Sequence, residues 1–228
     1  MIQVKNSEPK ENLIFTAKKT APSGKFKVLI GTPIHEVKDY CMEKWIANVA
    51  KLQKKTPADL LLVDNSSDLS YVEEVKGYCK KYKIKNYKIK HLEINQNQPV
   101  PERINRSREI IRQEILSSDY DAWFSWESDQ IIPPNALEKL TKIMEAGNYM
   151  MIHPNSWSRV TTGEPNVNFG VCLIKRWCLE KYGFLLEYPN MPDCYAMIES
   201  WFKKQVLKNG GSYIEVYGLI KPIYHLNA

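Results

Sequence analysis

Short apolar runs that break off in polar residues alternate along this chain with stretches of helical periodicity, and few architectures accommodate such an alternation. Phe26-Lys27-Val28-Leu29-Ile30 stops at Gly31-Thr32-Pro33, which reads as a buried strand entering a loop. From Tyr40 to Leu52 the apolar residues Trp45, Ile46, Val49 and Leu52 recur at helical spacing. Asp59-Leu60-Leu61-Leu62-Val63 then ends in Asp64-Asn65-Ser66-Ser67-Asp68. Continuous apolar runs of this kind belong to strands buried on both faces, as in parallel sheets. The pattern continues with a helix over Tyr71–Tyr82, a strand over Tyr87–Ile94, a helix over Ile104–Leu116, a strand over Ala122–Trp126 and a helix over Ala136–Ala146. Strands joined by helical crossovers give a mostly parallel sheet with helices on both faces. The expected fold class is therefore α/β, a doubly wound, Rossmann-like sheet in a single domain. The second half is less regular. Tyr149–His153 and Phe169–Ile174 are strand-like, and Met191–Leu207 reads as a helix with Gly210-Gly211 placed to cap it.

In an open parallel sheet, ligands bind beyond the carboxyl ends of the strands. At that edge this sequence places Thr32-Pro33, Asp64-Asn65 and Glu127-Ser128-Asp129. A single carboxylate such as Asp64 or Asp68 serves equally well as the cap of the next helix. Glu127 and Asp129 are different, because two carboxylates one residue apart repel unless a cation or proton lies between them. A hard divalent cation, Mg²⁺ or Mn²⁺, bridging to substrate phosphates is the usual solution.

Charge and cysteine usage narrow the setting. The 228 residues carry a formal net charge of +6, with Lys76, Lys80, Lys81, Lys83, Lys85, Lys88 and Lys90 in one stretch. Such a cluster attracts nucleic acid or an anionic membrane, but the solvated face of a helix and strand is the commoner explanation. The odd number of cysteines, 5, and the lack of a C-x-x-C pair argue against a disulfide framework and a structural zinc site. Reduced, mostly buried thiols are expected. No apolar run approaches the roughly 18 residues of a membrane span, and Met1–Lys27 has no apolar core. A cytoplasmic protein is expected, with any membrane association peripheral.

Taken in order, Lys27 to Pro33, Leu61 to Asp68, Asn105-Arg106-Ser107-Arg108 and Trp123 to Asp129 resemble the nucleotide-sugar-binding half of GT-A glycosyltransferases. The inverting family-two type is the most similar. The resemblance implies a metal-dependent transfer of a sugar from a UDP- or GDP-linked donor to an acceptor hydroxyl, with inversion. It implies that Thr32, Pro33 and Asp64 contact base or ribose and that Asn105 and Arg108 touch the donor. Asp129 would be the principal metal ligand. Glu127 stands where the family usually has Asp, and His225, in Ile223-Tyr224-His225-Leu226, would be a third ligand. Asn168 to Arg176, then Tyr182-Gly183-Phe184, resembles the family's acceptor-side segment, after which an acidic residue serves as general base. Asp193 occupies that slot, with Glu199 as its rival. On this reading residues 1–25 are a lead-in and 26–228 one domain, with 26–135 as the donor half and 136–228 as the acceptor half.

Two other functions fit the same sheet edge. A nucleotidyltransferase shares the acid pair but normally carries a glycine-rich phosphate loop, for which Gly31-Thr32-Pro33-Ile34-His35 is a poor substitute. A non-catalytic nucleotide-sugar-binding module would keep the fold without turnover. The acceptor (glycan, lipid, protein or nucleic acid) and the oligomeric state are not written in the sequence. Trp123 and Trp126 read as sheet core, with Trp126 near enough to the acid triplet to line a donor pocket. His153 reads as a hydrogen-bonded structural histidine, and His35 and His91 as loop or surface residues without acidic neighbours. Trp157 and Trp177 could form a sugar platform, and 155–168 a loop over the site.

Overall fold

The computed structural model of the protein describes residues 26–155, 169–185 and 196–226. Its elements run β1 (Val28–Ile34), a short 3-10 helix (Glu36–Lys38), α1 (Asp39–Lys55), β2 (Asp59–Asp64), α2 (Ser70–Lys81), β3 (Tyr87–His91), α3 (Val100–Leu116) and β4 (Ala122–Trp126). There follow β5 (Gln130–Ile131), α4 (Ala136–Gly147), β6 (Met151–Asn155), β7 (Val171–Lys175), α5 (Arg176–Lys181), α6 (Ala196–Lys208), β8 (Tyr213–Tyr217) and β9 (Tyr224–His225).

Seven strands form one sheet in the order β3-β2-β1-β4-β7-β6-β8. The β3-β2-β1-β4 portion is parallel, β7 runs antiparallel to both β4 and β6, and β8 is parallel to β6. This is the mostly parallel, helix-flanked sheet that the alternating pattern predicts. Successive residues of a strand point to opposite faces, so each apolar run supplies two cores at once. Val28, Ile30, Leu60, Leu62, Phe124 and Trp126 face one side, where Trp45, Ile46 and Val49 of α1, Val75 of α2 and Leu140 of α4 cover them. Leu29, Leu61, Val63, Trp123, Cys172 and Ile174 face the other, under Ile111 of α3, Cys178 of α5 and Phe202 of α6.

Several boundaries differ from the sequence reading, each for a physical reason. β1 does not stop at Gly31 but continues through Thr32 and Pro33, which pair with Leu62 and Val63 of β2. A proline is tolerated there because β4 pairs β1 only as far as Gly31, leaving Pro33 without a ladder partner on that side. Gly31 is needed for packing: a Cβ there would lie 2.7 Å from Trp123 Nε1 and closer still to Ile111 of α3. β3 ends at His91 because its partner β2 ends opposite it, at Asp64. α3 begins at Val100, four residues before its apolar stripe, with Pro101 in its first turn, where the missing N–H is harmless. The short strands β5 and β9 had no periodic signal to betray them.

The thiol and lysine expectations also meet the structure here. Cys41, Cys79, Cys172 and Cys178 are free and buried, while Cys194 lies outside the described residues. Burial pushes the Cys79 thiol up to about 12. Within the lysine stretch, Lys81 pairs with Glu43 at 2.5 Å, and Lys88 and Lys90 share Glu114 at 2.6 and 2.8 Å. These cations are partnered by the protein's own acids. Among the described residues no helix is long and apolar enough to cross a membrane.

Candidate functional site

The acid triplet leaves the end of β4 and is fixed by three backbone contacts. Glu127 N–H donates to Gly170 O at 2.7 Å, Gln130 N–H closes a turn onto Glu127 O at 3.2 Å, and Asp129 O accepts from Leu226 N–H at 2.7 Å. The last of these belongs with the β5–β9 ladder, in which Gln130 faces His225. That small two-stranded sheet brings a residue from the far end of the sequence against the triplet. One ligand atom from each of Glu127, Asp129 and His225 falls within 4.8 Å of the others.

Asp129 is the centre of the arrangement and is 4% exposed. Its Oδ2 lies 2.8 Å from Lys38 Nζ and 3.3 Å from His225 Nε2. Its Oδ1 is buried without a hydrogen-bond partner. A buried carboxylate oxygen left unpaired is costly, and a cation ligated there would satisfy it. Two carboxylates and an imidazole, one oxygen orphaned, fit a divalent ion of the Mg²⁺ or Mn²⁺ kind. Lys38 ends the 3-10 helix that joins β1 to α1. Burial lowers its ammonium's proton affinity, but the charges of Asp129 and Glu127 outweigh it and hold the pKa above the ordinary lysine value.

Beside the cluster lies a cavity of about 270 Å³, close to the lower size of small-ligand sites. Its wall includes Pro33, Asn65, Arg108, Trp126, Glu127 and Ser128, together with His35, Lys38 and Arg103. Three cationic side chains on the wall suit an anionic ligand. Asn65 is held in place by its Nδ2 donating to Ser107 Oγ at 2.9 Å. Trp126 Nε1 donates to Gln130 O at 2.8 Å while its ring packs 4.9 Å from that of Trp45.

Beneath the cavity, Arg108 of α3 and Glu199 of α6 form a buried ion pair, Nη2 to Oε1 2.5 Å, with each side chain 4% exposed. Glu199 Oε2 accepts from Phe169 N–H at 3.0 Å, and the Arg108 guanidinium lies 5.2 Å from the centre of the Phe169 ring. Burial pushes the Glu199 carboxyl up and Arg108 pulls it back, with the upward direction prevailing. Arg108 Nε and Nη1 have no partner, nor do the two amide atoms of Asn105 one turn earlier.

The remaining sequence candidates are placed less directly. Thr32 is fully buried and its hydroxyl donates to Trp126 O at 2.8 Å. Asp64 is also fully buried: Oδ1 accepts from Ser66 Oγ at 2.6 Å, and Oδ2 lies 2.7 Å from His91 Nδ1. Neither residue reaches the cavity wall, where Asn65 stands instead. His91 thus has the acidic partner that its sequence neighbours did not suggest, and His35 lies 3.2 Å from Gln96 Oε1 on the cavity wall. His153 is buried in β6, 3.6 Å from Glu215 of β8. Asp193, Trp157 and all of the expected loop 155–168 except Asn155, which ends β6, lie outside the described residues. Sequence reasoning passed over Lys38 and Arg103, which carried no signal, and it placed Asn65 at the sheet edge but gave the donor contact to Asp64.

The architecture is shared with solved structures. TarS of S. aureus superposes with a TM-score of 0.62 at 15% identity, over 89% of this chain and 37% of that one. A mannosyltransferase from Pyrobaculum calidifontis, PcManGT, solved with GDP-Man and Mn²⁺, gives 0.65 at 11% identity over 87% of this chain and 56% of that one. The chain has a GT-A-like glycosyltransferase fold. A TarS fragment solved with UDP matches at 0.54 and 16% identity, over 84% of this chain and 61% of that one. In each case the GT-A-like domain described here spans less than two thirds of the matched chain. No protein-family model and no curated sequence matches it.

Proposed function

We propose that the protein is a metal-dependent glycosyltransferase that moves a sugar from a UDP- or GDP-linked donor to an acceptor hydroxyl with inversion. The observation that carries the reading is the orphaned Asp129 Oδ1, set among Glu127 and His225 beside a cation-lined cavity at the carboxyl edge of the sheet. Supporting it are the GT-A-like fold and the donors held by similarly folded proteins, UDP-GlcNAc and UDP in TarS and GDP-Man with Mn²⁺ in PcManGT. The donor half is proposed as 26–135 and the acceptor half as 136–228, preceded by a lead-in of 1–25.

Asp129, Glu127 and His225 would hold a divalent ion, which would supply positive charge to the departing diphosphate. The rest is the work of side chains. Arg103 and Arg108 on the cavity wall offer guanidinium donors suited to phosphate oxygens. Pro33 and Asn65 line the same cavity, and Thr32 and Asp64 hold its strand ends from behind, so base and ribose contacts fall to that corner. Glu199 is engaged through both oxygens, by Arg108 and by Phe169 N–H. Its part is to hold Arg108, and the proton of the attacking hydroxyl falls to Asp193. A base that takes this proton from the side opposite the leaving group gives inversion by direct displacement.

The test is release of nucleoside diphosphate from UDP- and GDP-sugars with Mn²⁺, with and without EDTA. Release from one donor series, abolished by EDTA and reduced at least roughly a hundredfold in Asp129→Ala, is expected. Donor binding without release would identify a binding module. Pyrophosphate release from a nucleoside triphosphate would identify a nucleotidyltransferase.

A further inference from the structure

Resting on the metal reading above, Lys38 carries an additional inference. Its ammonium sits 2.8 Å from Asp129 Oδ2, so one of the two oxygens of the central carboxylate already holds a cation. The other oxygen, Oδ1, has no partner. A divalent ion reaching Asp129 would meet a like charge at contact distance, and in a partly buried site that repulsion is weakly screened. Yet Lys38 is not enclosed by the cluster. Its side chain is 37% exposed, against 6% for Asp129, and it is a flexible four-carbon stem carrying a point charge. It also lines the cavity, so an anionic group bound there is within its neighbourhood.

We propose that Lys38 is a displaceable internal cation: it occupies the acid cluster in the absence of substrate, competes with the divalent ion for Asp129, and transfers to the phosphates of a nucleotide bound in the cavity. The protein should then bind the metal weakly by itself and more tightly with a nucleoside diphosphate. Part of that coupling would come from relocation of Lys38, beyond the metal–phosphate contact itself. Without a cation in one form or another, two carboxylates would face each other across the cluster.

The experiment measures Mn²⁺ affinity without nucleotide by titration calorimetry or paramagnetic resonance, for wild type, Lys38→Met, Lys38→Arg and Asp129→Ala. Lys38→Met should bind Mn²⁺ alone about tenfold more tightly than wild type, within the usual range for coupled sites. Lys38→Arg, which keeps the charge, should bind no more tightly than wild type. With Mn²⁺ saturating, UDP and GDP, tested separately, should bind Lys38→Met more weakly than wild type. A general loss of structure cannot tighten metal binding, so the direction of the first result separates this role from a purely structural one. If Lys38→Met binds Mn²⁺ no more tightly than wild type while Asp129→Ala abolishes binding, the metal centre stands and the displaceable cation is overturned. If Mn²⁺ binds none of the four proteins, the metal reading itself fails and this inference with it.

Discussion

At the scale of single residues, the buried Arg108–Glu199 pair and the Gly31 contact make the sharpest claims. Removing Glu199 leaves a buried guanidinium without its ion-pair partner, and its Nε and Nη1 already have no hydrogen-bond partner. Glu199→Ala should therefore lose about 3–5 kcal/mol of stability, as other broken buried pairs do, measurable by chemical denaturation. The loss should extend to nucleotide affinity, because the residue freed is on the cavity wall. Gly31→Ala forces a methyl between β1 and α3, against Ile111 and the Trp123 ring. A loss of about 1–3 kcal/mol is expected, and an unchanged melting temperature would contradict the packing described. These residues also show the limit of sequence reading. Glu127 and Asp129 stood out as a carboxylate pair at a strand end and His225 only through the resemblance to GT-A enzymes, and the structure gathers the three. Lys38 did not stand out, since a lysine in a turn looks like any surface lysine until Asp129 is seen across 91 residues of chain. Asp64 and Asn65 show a subtler limit: adjacent residues at a strand end point opposite ways, and the pattern does not say which one faces the cavity.

At the scale of elements, the β5–β9 pair decides whether the cluster exists. Leu226 N–H donates to Asp129 O at 2.7 Å. Leu226→Pro removes that donor while leaving every proposed ligand in place, and should weaken Mn²⁺ binding roughly 10- to 100-fold, the effect usual for groups that orient metal ligands. Unchanged affinity would mean that His225 is not held by this ladder. A second element-level expectation concerns β6 and β8. Burial pushes His153 down to about 4, with Glu215 partly opposing the shift and Lys203 reinforcing it. Above about pH 6.5 the imidazole is neutral folded and unfolded, and its contribution is fully present. Between there and about 4 the unfolded chain takes up a proton that the folded one refuses, so stability falls. Melting temperatures recorded from pH 7 to 4.5 should fall less steeply in His153→Gln than in wild type. The long elements were readable beforehand because each carries its own periodicity. Two-residue strands have none, and β7's reversed direction follows from pairing between β4 and β6 rather than from any local pattern.

At the scale of the whole molecule, the strand-end rule places the site. Apolar runs that fill two cores at once force a parallel sheet covered on both faces, and such a sheet leaves its carboxyl edge open for ligands. The acid cluster and the cation-lined cavity both lie there. Their side-by-side placement is the central claim: a nucleotide and a divalent ion should stabilise this protein together, through Asp129. A ligand that binds only the folded state raises its melting temperature. The most direct measurement is therefore the melting temperature of wild type and Asp129→Ala with a panel of nucleoside diphosphates and nucleotide sugars, each with and without Mn²⁺. A rise of several degrees with one nucleotide series, present only with Mn²⁺ and lost in Asp129→Ala, is the expected result. No rise with any nucleotide, or one that survives in Asp129→Ala at full size, would contradict it.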